Sequence, residues 1–286
     1  MAIGRVWQRL STSLSRKQTL AFSCTVSTTD AGSPSRYRDY PTSRESDVQD
    51  DPPCRVPMAV ILKGGAIFLH VPKTGGNWVT AVLRESDLVA GYIGDKHANA
   101  DRLLAPPASR GGGMRGYFGI RRGDRRLKPK PYIFCFVRHP LTWYESWFRY
   151  MTHPSRQWCE WGNEHDLFDW HPNAVLNGCG SPDFNTFVRN VVDKRPGYVT
   201  ELFNSYAQPQ VDFVGRQENL RQDLITVLET LDLDFDEDLL MNQEEVGVSA
   251  PPSGQPLEWD PLLRQEVLRL EIVAMLRHGY VPSNRA

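Results

Sequence analysis

Apolar residues in this chain fall into short blocks separated by turn-forming stretches. Ala66-Ile67-Phe68-Leu69-His70-Val71 is an almost continuous apolar run closed by Pro72, the pattern of a strand buried on both faces. Trp78, Val79, Val82 and Leu83 then recur at helical spacing, predicting a helix over 78–88. A strand, a glycine-bearing turn and a helix in succession open a βαβ unit. Tyr132-Ile133-Phe134-Cys135-Phe136-Val137 is a second buried strand. Pro140 suits the first turn of a helix reaching about Tyr150, because its missing N–H costs nothing there. Val211 to Gly215 predicts a third strand, and Leu220, Leu224, Val227, Leu228 and Leu231 mark an amphipathic helix after it. Asp260-Pro261 starts a last helix that His278-Gly279 stops. Strands alternating with helices predict an α/β fold, a three-layer sandwich around a central, mainly parallel sheet.

Two stretches lack such patterns. Residues 1–57 are rich in Ser, Thr, Pro and Arg without regular apolar spacing, so the expected organisation is a tail, 1–57, and a folded domain, 58–286. The first 29 residues contain Arg5, Arg9, Arg16 and Lys17, many hydroxyls and no acid. That is the composition of an organelle transit peptide, and also of a solvated tail or of an extension ahead of a start at Met58. Residues 105–130 are a second interruption, with Pro106-Pro107 and Gly111-Gly112-Gly113. Eight basic residues against Asp124 alone, from Arg110 to Lys130, allow two readings: a solvated excursion, or a basic lip that draws an anionic ligand.

Charge narrows the classes. Over 286 residues, 33 Lys+Arg against 34 Asp+Glu give a net charge of −1, which excludes a globally basic nucleic-acid binder. No run of about 18 apolar residues is present, so no transmembrane segment is expected. Five cysteines without CxxC spacing argue for reduced thiols and a cytoplasmic location, with a Cys159–Cys179 bridge as the one exception kept open. His153, His165 and His171 lack metal-ligand spacing, and no metal is expected. The oligomeric state is not legible.

The densest chemistry lies in His70-Val71-Pro72-Lys73-Thr74-Gly75-Gly76-Asn77-Trp78. Two glycines let backbone approach a ligand, and the N–H groups of the following helix point at the same spot. Lys73 adds a charge and Thr74 a hydroxyl donor, so the segment reads as a cradle for phosphate or sulfate oxygens. In a nucleoside-triphosphate P-loop the Lys follows the glycines; here it precedes them, and no clear acidic partner for magnesium is found. An anion bound without metal is the expectation. A second anion site is expected at Arg138, at the carboxyl end of a strand, with Ser146 eight residues on in the helix.

Taken together, these two segments resemble the cofactor signatures of the sulfotransferase family, nearest its carbohydrate-type and bacterial branch. The similarity spans about Met58 to Tyr280. It includes Asp95-Lys96-His97-Ala98, like a Lys-His-Ala segment between the two sites, and Phe213 to Leu220, like a late strand-to-helix segment. The resemblance implies a P-loop-NTPase-like sulfotransferase fold and 3′-phosphoadenosine 5′-phosphosulfate (PAPS) as co-substrate. It implies that Lys73, Thr74, Gly75, Gly76 and Asn77 hold the 5′-phosphosulfate. Arg138 and Ser146 would take the 3′-phosphate, and Trp78 would pack on the adenine. Asn77 departs from the family's usual Thr or Ser.

Sulfuryl transfer needs a cation at the leaving oxygen and a base for the acceptor's proton. Lys73 is the expected cation. His97 is the first candidate for the base, with an unperturbed pKa of roughly 6–7, ahead of Glu85 and His139. Trp143, Trp147, Trp158, Trp161 and Trp170 fall within 28 positions and either wall an acceptor pocket or pack in the core, the latter expected for at least two. The function expected is transfer of a sulfuryl group from PAPS to a hydroxyl of a carbohydrate or other small molecule, with no nucleic-acid partner. The alternatives are a P-loop nucleotide-dependent kinase and a catalytically inactive nucleotide-binding homologue.

Overall fold

The structure, a computed structural model, describes residues 59–104, 130–162, 170–246 and 256–280. All of them belong to one unit, Pro52–Ala286. The expected tail, the transit-peptide reading of residues 1–29, and all but the last residue of the basic loop at 105–130 lie outside the described residues.

The first two strands form a hairpin: β1 (Ala59–Leu62) pairs antiparallel with β2 (Ile67–Leu69). Gly64 and Gly65, both at positive φ, turn the chain between them. Helix α1 (Gly76–Glu85) follows β2. Strand β3 (Val89–Ile93) returns antiparallel to β1, and a short helix α2 (Ala100–Leu104) comes next. Strand β4 (Ile133–Val137) then lies parallel beside β2, and β5 (Phe213–Arg216) lies parallel beside β4. Between them run α3 (Pro140–Thr152), a 3₁₀ turn (Pro172–Leu176), α4 (Phe184–Lys194) and α5 (Tyr198–Tyr206). After β5 come a 3₁₀ turn (Gln217–Asn219), α6 (Leu220–Thr230), α7 (Glu237–Asn242), α8 (Pro261–Leu270) and α9 (Ile272–Arg277).

The sheet order is β3-β1-β2-β4-β5. The expectation of a mainly parallel sheet is met only in part. Two of the four pairings are antiparallel, because the β1–β2 hairpin turns one strand against the rest. The fold is α/β on a five-stranded mixed sheet.

Alternation along β4 shows how the layers form. Ile133, Cys135 and Val137 face a core shared with α3, α4, α5, α8 and α9. Phe134 and Phe136 face a second core with α1, α6 and α7. Both faces of the strand are therefore fully apolar, as a central parallel strand requires. The last predicted helix is two helices meeting at Glu271, which is fully buried. Its carboxylate accepts hydrogen bonds from Tyr144 Oη (3.0 Å), Val199 N (3.1 Å) and both Thr200 N and Oγ1 (2.7 Å each). Four donors offset the cost of burying that group, and they tie α3, α5 and the α8–α9 junction together.

Cys159 and Cys179 are not bridged, so the disulfide kept open from the sequence is absent.

Candidate functional site

Three parallel strands end side by side, and the site is assembled from the segments beyond their carboxyl ends. Leu69 of β2 stands opposite Cys135 of β4, and Val137 of β4 opposite Arg216 of β5. The chain after β2 delivers Lys73, and the chain after β4 delivers Arg138. They meet: Arg138 Nη1 donates to the Lys73 carbonyl oxygen at 3.3 Å. Segments 65 residues apart, each readable as an anion site of its own, are thus joined by one hydrogen bond. The indole N–H of Trp143 makes a second link by donating to the Pro72 carbonyl at 3.0 Å.

The loop backbone is bent into the left-handed region twice, at Lys73 (φ 65°) and at Gly75 (φ 86°), the N-cap of α1. A lysine at positive φ costs energy, and such residues gather where function dictates the geometry. Gly75 supplies no capping side chain, and the first internal bond of α1 is Val79 N to Gly75 O. The amides of Gly76, Asn77 and Trp78 precede that bond, so helix geometry leaves them without carbonyl partners in the helix at its positive end.

Both glycines are sterically required. Gly75 is needed for its backbone angle, and a Cβ there would also lie 2.6 Å from Leu220 Cδ2. A Cβ on Gly76 would lie 2.2 Å from the His70 imidazole, so that glycine serves packing. Gly76→Ala is expected to destabilise the fold by about 1–3 kcal/mol, the scale of overpacking a tight core. Urea denaturation of the variant checks this, and an unchanged midpoint would show that His70 moves freely aside.

Thr74 departs from its expected role. Its hydroxyl donates to the Val71 carbonyl at 3.0 Å and is 1 % exposed, so it braces the turn and is not a free donor. Asn77 is exposed at the start of α1. Trp78 is 4 % exposed, lies under the Arg221 guanidinium and donates to the Gln243 carbonyl at 3.5 Å. Its face is covered by protein, so stacking on an adenine requires Arg221 to move.

Lys73 is held where its charge is costly. Burial, then the charges of Arg138, Arg156 and Lys96, lower its pKa to about 7. Its ammonium sits 4.3 Å from the centre of the Tyr150 ring, and among the described residues no carboxylate pairs with it. Arg156 shares the same ring at 4.9 Å. Four cations around one loop form a basin that an anion would relieve.

Arg138 is mostly buried, and its Nε donates to Thr142 Oγ1 at 3.0 Å. Thr142 and Ser146 are one turn apart on α3 and share a face. Ser146 is half-buried and makes no hydrogen bond among the described residues. Arg138 and Ser146 therefore belong to one strip, with Thr142, absent from the expectations, as the link between them.

Of the three base candidates, two are displaced. Glu85 ends α1, ten residues of helix or roughly 15 Å from the loop, and accepts from Gln243 at 3.4 Å. His139 caps α3, its Nδ1 accepting from Leu141 N at 3.2 Å, while its own amide donates to Glu218 at 2.7 Å. His97 is close to the loop: its Nδ1 bonds the His70 carbonyl at 2.9 Å. A carbonyl only accepts, so Nδ1 carries the proton and Nε2 keeps the lone pair. The expected pKa of 6–7 is corrected. Burial outweighs the hydrogen bond to His70 and lowers it to about 3.

His97 also belongs to a row of imidazoles at which sequence spacing does not hint. Its ring centre is 4.9 Å from that of His70 and 4.6 Å from that of His171. His171 in turn stacks on Trp161 at 4.5 Å and lies 5.6 Å from Trp147. Burial lowers the pKa of both flanking histidines, so the row is neutral near pH 7. Among the described residues no three His, Cys, Asp or Glu side chains are arranged to hold a metal ion.

Of the clustered tryptophans, Trp143 (0 % exposed) and Trp147 (2 %) are stacked in the core at 5.9 Å, and Trp170 carries the Arg102 guanidinium at 3.8 Å. Trp158 and Trp161, with Trp147, wall a cavity of about 260 Å³. Among the described residues no helix is long and apolar enough to cross a membrane. No protein-family model, no curated protein and no solved structure matches this chain.

Proposed function

We propose that the chain is a sulfotransferase of P-loop-like fold that transfers a sulfuryl group from PAPS to a hydroxyl of a carbohydrate or other small molecule. The observation that carries this reading is the Arg138–Lys73 contact. It brings two motifs suited to a nucleotide carrying phosphate at one end and phosphosulfate at the other into one basin. The cationic surroundings that lower the Lys73 pKa are what a multiply charged donor would satisfy. In this reading Lys73 meets the leaving oxygen, the first amides of α1 hold the phosphosulfate, and Arg138 with Ser146 holds the 3′-phosphate. A nucleoside-triphosphate kinase is disfavoured because Lys73 precedes Gly75-Gly76 and stands before the first residue of α1.

One observation favours a second reading. An imidazole whose pKa is about 3 is a weak proton acceptor, so His97 fits a protein that binds the donor without turnover. The test is labelled sulfuryl transfer from PAPS in EDTA over a panel of sugars, phenols, lipids and peptides. The enzyme reading expects labelled product from at least one acceptor, and His97 is its base only if that product falls in His97→Ala with donor affinity kept. Donor binding with no product from any acceptor selects the binding-module reading. Absence of donor binding removes both.

A further inference from the structure

The strip of α3 that carries Thr142 and Ser146 continues to a cation outside both motifs. Thr142, Ser146 and Tyr150 follow one another at four-residue spacing on one face of the helix. Lys73 reaches along the strip: its carbonyl accepts from Arg138, and its ammonium lies over the Tyr150 ring. Arg156, just past the end of α3, puts its guanidinium 4.9 Å from the centre of the same ring. The two charges are therefore no farther apart than their distances to the ring laid end to end. Roughly 12 Å of helix separates Thr142, which holds Arg138, from Tyr150, so Arg156 stands at the opposite end from Arg138.

Backbone bonds and packing fix the turn that presents Arg156. Arg156 N and Gln157 N both donate to the His153 carbonyl, at 2.8 and 3.1 Å, and Trp158 N donates to the Met151 carbonyl at 3.0 Å. Gln157 and Trp158 stand consecutively at positive φ, 46° and 56°, which is costly for residues other than glycine. The Trp158 ring packs on Phe148 and Phe187, at 5.9 and 5.1 Å, and holds the turn in place. A cation just past a helix ordinarily bonds the last carbonyls. Arg156 does not: it is exposed, and among the described residues its guanidinium makes no hydrogen bond and meets no carboxylate.

The charges at the two ends differ in kind. Glu218 and Glu145 act on both Arg138 and His139. The cations acting on Lys73 are Arg138, Arg156 and Lys96, those acting on His171 are Lys96 and Arg156, and no carboxylate acts on either. In the sulfotransferase reading the donor brings its 3′-phosphate to the first end. Its phosphosulfate brings two negative charges to the second, where Lys73 and the first amides of α1 meet them. The acceptor hydroxyl lies at that second end, toward His97, whose ring neighbour is His171 at 4.6 Å. Arg156 is the cation there that the donor does not use.

We propose that Arg156 is the specificity residue of the acceptor subsite, and that the preferred acceptor carries an anionic group, carboxylate or sulfate, near the hydroxyl it offers. This assignment rests on the sulfotransferase reading, and its experiment reads binding so that the two can fail separately. Saturation-transfer NMR on the full chain, with and without adenosine 3′,5′-bisphosphate to fill the donor's phosphate sites, would compare glucuronic acid with glucose and 4-hydroxybenzoate with 4-hydroxybenzyl alcohol. With bisphosphate present, the acid of at least one pair should bind about tenfold tighter, and the pair that does so separates a sugar from an aromatic acceptor. Arg156→Gln should abolish that preference with the thermal midpoint kept, and should change the bisphosphate affinity far less. Equal binding within both pairs, binding by none of the four, or an acid preference that survives Arg156→Gln would overturn the proposal. So would an Arg156→Gln variant that loses more affinity for PAPS than for the bisphosphate, because the guanidinium would then hold the sulfuryl group. Absence of bisphosphate binding, with the acid preference and its dependence on Arg156 intact, would overturn the sulfotransferase reading and leave Arg156 as an anion subsite.

Discussion

Lys73→Ala is expected to slow sulfuryl transfer by about 10²–10³-fold, the scale for losing one group that stabilises developing charge. The expectation starts from cost. Lys73 pairs its buried ammonium with the Tyr150 ring, among three other cations, on a backbone angle that a lysine rarely adopts. Among the described residues only the ring contact offsets that cost. Removing the side chain should leave the thermal midpoint unchanged or raised, because a destabilised cation is lost. A rate defect without a stability defect is thus the signature, measured by labelled transfer beside calorimetry. Turnover near that of the wild-type chain would remove Lys73 from the site.

The second large effect concerns Arg138. Arg138→Ala should weaken binding of adenosine 3′,5′-bisphosphate by about 2–4 kcal/mol, since a phosphate loses a forked, charged partner in a partly buried setting. Ser146→Ala should cost about 1 kcal/mol, one hydroxyl donor. The comparison ligand is adenosine 5′-phosphate, which lacks the 3′ group. Wild-type protein should prefer the bisphosphate, and Arg138→Ala should lose most of that preference. Because Arg138 also bonds the Lys73 carbonyl and Thr142, Arg138→Lys is the sharper variant: it keeps the charge and loses the fork. Full preference retained in both variants places the 3′ site elsewhere.

The parts of the fold legible in sequence are those whose pattern is local and fully buried. β4 reads as a strand because both of its faces meet apolar layers, and α6 because its leucines repeat along one side. β3 is not legible: no residue of Val89–Ile93 is buried, so no alternation marks it, and it is a strand because β1 offers an edge. α4 is different. Phe184, Phe187, Val188, Val191 and Val192 carry a clear helical period behind the Asp183 cap, so a signal for this helix is present in the sequence although it forms no part of the expected elements.

The site divides in the same way. Lys73 and Arg138 can be named because each follows a strand and sits in a dense local motif. That they touch is a consequence of β2 and β4 being neighbours, which no spacing encodes. The His70–His97–His171 row joins residues up to about a hundred positions apart, and only packing reveals it. One local signal exists: His139-Pro140 and His171-Pro172 are both a histidine cap followed by proline at the first position of a helical turn. Thr74 and Trp78 show the converse. Their residue types fit donor binding, but a hydroxyl spent on Val71 and an indole under Arg221 are facts of packing.

The most direct measurement is calorimetric titration of the full chain with adenosine 3′,5′-bisphosphate in EDTA, repeated from about pH 6 to about pH 9 in buffers of differing ionisation heat. An anion seated in the cation basin raises the Lys73 pKa from about 7, so binding takes up a proton once the solution is above that value. Affinity should then fall by up to about tenfold per pH unit above about pH 7, where the ligand's phosphates are already dianionic, with that proton uptake disappearing in Lys73→Ala. Binding seen only with ATP and magnesium, or bisphosphate binding with no proton uptake at any pH, would contradict the account.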